Sequence, residues 1–230
     1  MRIEVPATLS PETLAGLAHQ LERAAAEEAR IWLLEGQAGI FCRGLDLALM
    51  GQTPSTQDFA ACLASLVEAP VPTVALVDGE TLGGGLGLAA ACDLVLATPR
   101  STFGLPECLF GLLPAIIMPV LLQRMSPQKA RLLAMVGSSR TAEWAQASGL
   151  VDEIAPEDSL ERVARRWSRD LARGVGAGRL RSFVSQAERL ELAEGLARGV
   201  LITDELLAEP RVQRRVRDFV EHGRAPWEKR

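Results

Sequence analysis

The sequence contains no tyrosine, only two histidines and only four cysteines among its 230 residues. Without tyrosine, no phenol is available as a proton donor. Cys42, Cys62, Cys92 and Cys108 are too few and too scattered for a disulfide scaffold, and no CxxC pair suggests a zinc site. The GxSxG and HExxH patterns of serine hydrolases and zinc proteases are absent as well. We expect reduced thiols, as in a cytoplasmic protein.

Long hydrophobic runs are also missing. The longest, residues 109–122, contains two prolines and is too short to cross a bilayer, so no membrane association is expected. The opening MRIEVPATLSPETL has no apolar segment typical of a secretory signal, which predicts a cytoplasmic location. A net charge of −4 argues against a nucleic-acid partner. With 48% hydrophobic residues, the chain is long enough to bury a sizeable core in one large domain.

Strands and helices alternate through the first two thirds of the chain, which predicts an α/β fold with crossover connections. Ser10 is a candidate N-cap, with Pro11 in the first turn of a helix that runs to about Arg30. Buried strands are predicted at 31–35, 73–77 and 94–98, and further helices at 58–68 and 86–92. From Glu157 onward the pattern is helical and rich in arginine, with glycines such as Gly195 and Gly199 as expected breaks. This tail is a candidate separate helical lobe.

A cluster of three glycines, Gly83 to Gly85, stands between the strand at 73–77 and the next helix. Glycines allow a ligand to approach backbone N–H groups closely. The GxGxxG and GxxxxGK[ST] phosphate patterns are not satisfied, whereas an oxyanion hole for a thioester enolate would use the same feature. The alternative is simple close packing of strand on helix. A second donor would come from another loop, and FCRGLD at 41–46 is the candidate.

Glu107 lies between apolar neighbours in the segment FGLPECLFG. A carboxyl group in such a setting has a raised pKa, as a proton-transfer group requires. The alternative is a solvated glutamate at a helix N-terminus. His19 and His222 are expected on the surface. The arginines between 162 and 173 predict a basic helical face that is either simply solvated or meets an acidic carrier protein.

These segments occur together and in order, and with them the sequence resembles the crotonase (enoyl-CoA hydratase/isomerase) superfamily. FCRGLDL is similar to the family's FCAGADL loop, and VPTVALVDGETLGGGLGLAAACD is similar to its glycine-rich block. The resemblance implies a spiral of ββα units over residues 1–156 and a C-terminal helical region, 157–230, that builds a homotrimer. It places the oxyanion donors on the amides of Leu45 and Gly84. Of the family's two catalytic glutamates, the second falls on Glu107 and the first on Gly87, which has no side chain.

One subgroup of the superfamily resembles the chain further. The pattern LFGLLPxxxxPxLxxRxxxQKA and the closing FVExGxxPWEK are similar to the dehydratases of polyketide β-branching cassettes. The resemblance implies removal of water from 3-hydroxy-3-methylglutaryl on an acyl carrier protein, giving the 3-methylglutaconyl product. No cofactor is implied beyond the phosphopantetheine, or CoA, that carries the substrate, and the partners implied are the carrier protein and the HMG-synthase cassette enzymes.

Substrate contacts are expected from Gly83, from Gly87 and from Arg43, the nearest cation in sequence to the loop. Two other functions stay open. One is a Δ3,Δ2-enoyl thioester isomerase, which also works with one glutamate. The other is a non-catalytic partner that binds a carrier protein.

Overall fold

The computed structural model describes residues 1–27, 29–37, 39–49, 56–156, 158–174 and 177–223. Its strands are β1 (Arg2–Glu4), β2 (Trp32–Glu35), β3 (Ile40–Cys42), β4 (Thr73–Val77), β5 (Glu80–Leu82), β6 (Leu94–Ala97), β7 (Thr102–Gly104), β8 (Arg140–Thr141) and β9 (Glu153–Ile154). Its α-helices are α1 (Pro11–Ala26), α2 (Thr56–Val67), α3 (Gly84–Ala90), α4 (Glu107–Phe110), α5 (Met118–Arg124), α6 (Pro127–Val136), α7 (Ala142–Ala147), α8 (Leu160–Arg173), α9 (Ala177–Ala208) and α10 (Pro210–His222). A 3₁₀ turn occupies Leu47–Leu49.

From β2 to β7, consecutive strands alternate between two sheets. One sheet has the order β1-β2-β4-β6-β9 with parallel neighbours, and the other has the order β3-β5-β7-β8. The pairs β2–β3, β4–β5 and β6–β7 therefore each give one strand to each sheet before a helix follows. This is a spiral of ββα units, so the predicted crotonase-like α/β fold is confirmed.

Several boundaries differ from the predictions. Helix α1 has the expected cap, because the Ser10 hydroxyl accepts the N–H of Thr13 and the Thr13 hydroxyl accepts the N–H of Ser10. It ends at Ala26 rather than near Arg30. Strands β5 and β7 were not predicted, because three residues are too few to show a periodicity. No helix in the described ranges is both long and apolar enough to cross a membrane.

The central strands are buried on both faces. On β4, Ala75 and Val77 belong to the main core with α1, α2 and α3, whereas Val74 and Leu76 face a second cluster with α8. Helix α8 and its arginines therefore lie on the opposite face of the sheet from the main core. Burial on both faces explains why β4 is a continuous apolar run.

Helix α9 packs on the core instead of standing apart from it. Leu192, Leu196 and Val200 are buried in the main cluster, and α9 contacts α2 and α5. The prediction that Gly195 and Gly199 break the helix is wrong, since both lie inside α9. They permit close approach: a methyl group on Gly199 would lie 2.5 Å from the Ala115 carbonyl oxygen. The boundary drawn at residue 156 stays a prediction.

We predict opposite effects for the same substitution at two helical glycines. Gly199→Ala should lower the free energy of unfolding by about 1–3 kcal/mol, because the added methyl group meets backbone that cannot move away. Gly16→Ala is the matched control, since a methyl group there meets nothing within 4 Å, and it should stabilise α1 by about 1 kcal/mol. Urea unfolding followed by circular dichroism measures both. Equal effects at the two sites would contradict the described packing of α9.

Candidate active site

A cleft opens where the loop after β3, the start of α3, the start of α4 and helix α9 meet. It encloses about 660 Å³ of empty space, the open solvent at its mouth included. Its lining is mostly hydrocarbon and consists of Arg43, Leu45, Phe59, Gly83, Gly84, Pro106, Glu107, Phe110, Leu112, Leu113, Pro114, Ala115, Ile116, Ile117 and Thr203. An apolar cleft with a few polar groups is typical of a small-molecule site.

Leu45 and Gly84, the two residues expected to form the oxyanion hole, both line this cleft. Their backbone N–H groups have no hydrogen-bond acceptor within the part of the chain that the structure describes. The loop that contains Leu45 packs closely against the start of α3, since a Cβ on Gly44 would lie 2.8 Å from the Gly84 nitrogen. Gly44 also has a φ of +77°. Glycine is needed at 44 for both reasons. The pair of donors is therefore available to a ligand oxygen, and its role as an oxyanion hole stays a prediction.

The Glu107 side chain lies beside this pair of donors. A methyl group on Gly83 would be 2.9 Å from Glu107 Oε1, so only glycine leaves the carboxyl group its place. Glu107 Oε2 is buried and has no hydrogen-bond partner among the described residues. Burial raises the pKa of Glu107 from 4.5 to about 7, against a smaller lowering by its own backbone N–H. This is the direction that the apolar neighbours predict, and it is the pKa of a group that can take and return a proton near neutrality.

Gly87 does not line the cleft, although it was expected to contact the substrate. It lies one turn into α3, where a Cβ would be 3.3 Å from Ile117 and 3.4 Å from Phe59. The place where a second carboxylate would begin is therefore packed against hydrocarbon. Among the described lining residues, Glu107 is the only carboxylate.

Arg43 is on the rim of the cleft rather than inside it. Its side chain is 52% exposed, and its Nε donates to Glu80 Oε2 at 2.5 Å. The ion pair already neutralises its charge. Gly83, the other expected contact residue, does line the cleft.

Sequence reasoning missed the contribution of the C-terminal helices. Thr203 on α9 lines the cleft, and α10 packs through Val212 and Val216 against Phe110 and Leu112. Helix α10 also contacts the 3₁₀ turn that follows the Leu45 loop. Neither contact has a sequence signal, because the partners are far apart in the chain. The PWEK residues, 226–229, lie outside the described residues.

A model of the family described as Enoyl-CoA hydratase/isomerase matches residues 1–230. The chain belongs to this family. Among its relatives, the bacillaene synthase dehydratase PksH of Bacillus subtilis (strain 168) is 25% identical over 237 residues, covering 99% of this chain and 90% of that protein. The 2,3-dehydroadipyl-CoA hydratase of Escherichia coli (strain K12) is 31% identical, covering 82% of this chain and 77% of that protein. Because such relatives are lyases, the predicted enzyme class is confirmed.

Solved structures agree with the fold. An enoyl-CoA hydratase homologue from Mycobacterium avium paratuberculosis K-10 is 26% identical and superposes with a TM-score of 0.89, covering 99% of this chain and 94% of its own. The Bacillus subtilis pksH polyketide biosynthesis protein, 24% identical, has the same fold with a TM-score of 0.87, covering 95% of this chain and 90% of its own. The sequence similarity to the dehydratase PksH confirms the predicted likeness to a polyketide dehydratase.

The buried carboxyl group predicts a pH-dependent stability. The pKa of Glu107 is about 7 in the folded state and near 4.5 when unfolded. The unfolded state therefore ionises first, and stability falls as pH rises from 4.5 to 7, by about 3 kcal/mol in all. Glu107→Gln removes this loss, so its advantage over the wild type should grow through that window and stay constant above it.

Urea unfolding at a series of pH values measures the difference. Glu22→Gln, at an exposed glutamate on α1, is the matched control for loss of a surface carboxylate. An advantage for Glu107→Gln that did not change between pH 4.5 and 8 would contradict the described burial of Glu107.

Proposed function

We propose that the enzyme removes water from a 3-hydroxy-3-methylglutaryl thioester carried on an acyl carrier protein, giving the 3-methylglutaconyl thioester of polyketide β-branching. One observation carries the proposal: Glu107, the only carboxylate among the described lining residues, has a buried Oε2 atom and lies beside the unpaired N–H groups of Leu45 and Gly84 in an apolar cleft. The similarity to a dehydratase of bacillaene synthase supports the choice of substrate. An HMG-forming enzyme acting on the same carrier would supply that substrate.

The two N–H groups of Leu45 and Gly84 would bind the thioester oxygen. As the proton on C2 is removed, negative charge develops on this oxygen, and preorganised donors stabilise that charge. One such donor contributes roughly 3–4 kcal/mol in a site closed to water. Acidification of C2 is therefore assigned to the backbone and not to a side chain.

Glu107 would perform both proton transfers. Its carboxylate takes the proton from C2, and the electron pair left on C2 forms the C2=C3 bond while the C3–O bond breaks. The departing hydroxyl receives the same proton from Glu107 and leaves as water, which restores the carboxylate. A shared proton requires that both groups lie on one face, so the elimination is syn. With a pKa of about 7, Glu107 is ionised in about half of the molecules at neutral pH.

The substrate suits an enzyme with one carboxylate. Loss of a tertiary hydroxyl forms a more substituted alkene than loss of a secondary one, so the leaving group needs less assistance. A second glutamate is therefore not needed at position 87. The side chains of Ile117 and Phe59 pack at the place where that glutamate would begin.

We predict that Glu107→Gln lowers kcat on the loaded carrier by about 10²–10⁴-fold, because the amide cannot accept the C2 proton. Intact mass spectrometry of the carrier follows the reaction, and loss of one water is the expected change with the wild type. Glu22→Gln should react at the wild-type rate.

Two outcomes would contradict the proposal. Unchanged mass with a moved double bond on an enoyl substrate would indicate the isomerase. No reaction of any thioester, with the carrier still bound, would indicate a non-catalytic partner.

The carrier protein would dock beside α10. Arg211, Arg214, Arg215 and Arg217 are exposed on this helix, and none forms an ion pair within the described ranges. Because α10 packs on α4, which begins at Glu107, the basic face flanks the cleft. Carrier proteins of the acidic type are attracted to such a face. The arginines of α8, by contrast, lie across the sheet from the cleft.

We predict that Arg211→Glu/Arg214→Glu lowers kcat/KM for the carrier-bound substrate at least about tenfold at low salt, because reversed charges repel an acidic partner. The matched control is Arg162→Glu/Arg169→Glu on α8, which should change little. Turnover of the same acyl group on free pantetheine should be unaffected in both. Equal losses in the two double variants would contradict docking at α10.

We also propose a homotrimer formed through the C-terminal helices. Leu180, Phe183 and Leu201 on α9 are 64%, 73% and 71% exposed, which is unusual for large apolar side chains on one helix. A partner subunit would cover them.

A further inference from the structure

A second polar side chain in the cleft has no partner. Within the described part of the chain, seven buried side-chain nitrogen or oxygen atoms make no hydrogen bond, and two of them belong to residues that line the cleft. They are Glu107 Oε2 and Thr203 Oγ1. Buried polar atoms are almost always paired, so an unpaired hydroxyl in a binding cleft indicates a ligand that pairs it.

The position of Thr203 in a helix strengthens the inference from its unpaired hydroxyl. The residue is 7% exposed and lies on α9, where a threonine hydroxyl commonly bonds the carbonyl one turn earlier. Here that bond is not formed. One turn earlier, Gly199 touches Ala115, which lines the same wall of the cleft. Thr203 therefore lies beside the wall of the cleft that Ala115 forms, and its hydroxyl has no partner there.

The proposed substrate has three polar centres. The thioester oxygen would meet the amides of Leu45 and Gly84, and the 3-hydroxyl would meet Glu107. The distal carboxylate then needs a donor. Arg43, the cation nearest in sequence, is on the rim and paired with Glu80. Of the polar side chains that line the cleft among the described residues, only Thr203 is left.

We propose that Thr203 is the specificity-determining residue for the acyl group, donating its hydroxyl hydrogen to an oxygen of the distal carboxylate. The inference rests on the proposed function for the identity of the acyl group. A hydrogen bond to a charged oxygen in an apolar cleft favours the carboxylated substrate over an analogue without it, because the analogue leaves the hydroxyl unpaired.

The test compares two pantetheine thioesters of equal shape. One carries 3-hydroxy-3-methylglutaryl, and the other carries 3-hydroxy-3,5-dimethylhexanoyl, in which an isopropyl group replaces the carboxylate. Thr203→Val keeps the branched shape and removes the hydroxyl. We expect it to lower the ratio of kcat/KM values, carboxylated over apolar, by about 10- to 100-fold, and Thr203→Ser to restore most of it.

Thr81→Val is the matched control. Thr81 Oγ1 is also buried and unpaired, but the residue does not line the cleft. The ratio of kcat/KM values for the two thioesters should therefore be the same in Thr81→Val as in the wild type. An unchanged ratio in Thr203→Val, or equal losses for both thioesters, would overturn the inference. Thermal unfolding should show Thr203→Val no less stable than the wild type, since no hydrogen bond is lost.

Failure of the proposed function gives a different result. If the wild type dehydrates neither thioester, Kd values for glutaryl- and 5-methylhexanoyl-pantetheine replace the kinetics. A wild-type preference for glutaryl that Thr203→Val abolishes supports the inference without any turnover. The absence of such a preference overturns it.

Discussion

The burial of one carboxyl oxygen, Glu107 Oε2, without a hydrogen-bond partner among the described residues is the constraint on which the rest of the site depends. Removing Glu107 from water disfavours its ionised form and raises its pKa to about 7. The apolar cluster of Phe110, Leu112 and α10 packs around α4, so the dry environment is a property of the fold. The same desolvation that lowers stability as pH rises from 4.5 to 7 makes the group able to accept and return a proton near neutrality.

The glycines at 83–85, next to that carboxyl group, allow both close packing of the backbone and a pair of free N–H groups. Each glycine of the cluster leaves room for a neighbour that a Cβ would displace. Gly83 leaves room for Glu107 Oε1. Gly84 does so for the side chains of Leu9 and Phe59, and Gly85 does so for the carbonyl oxygen of Cys42. Close packing and an oxyanion hole were alternative readings of the glycine cluster. In the structure, close packing is what brings the two unpaired N–H groups together.

Much of this arrangement could be predicted from the sequence, for definite reasons. The alternation of buried apolar strands with helices predicts an α/β fold, and the setting of Glu107 follows from its immediate neighbours. The spiral of ββα units was implied only by the family resemblance, because the short strands β5 and β7 carry no periodicity of their own. The roles of Thr203 and α10 could not be predicted, because they come from contacts between distant parts of the chain. Gly199 does not break α9 as expected, because helix propensity counts its entropy cost and ignores its close packing against Ala115.

The most direct test of the account is the ionisation of Glu107 itself. A ¹³C NMR titration of the glutamate side-chain carboxyls, with Glu107→Gln to assign the resonance, reports its midpoint in the free enzyme. We expect a midpoint near pH 7, because burial disfavours the ionised form of the carboxyl group. A midpoint near the ordinary 4.5 would show a solvated carboxylate and contradict both the described burial and the proton transfers assigned to it.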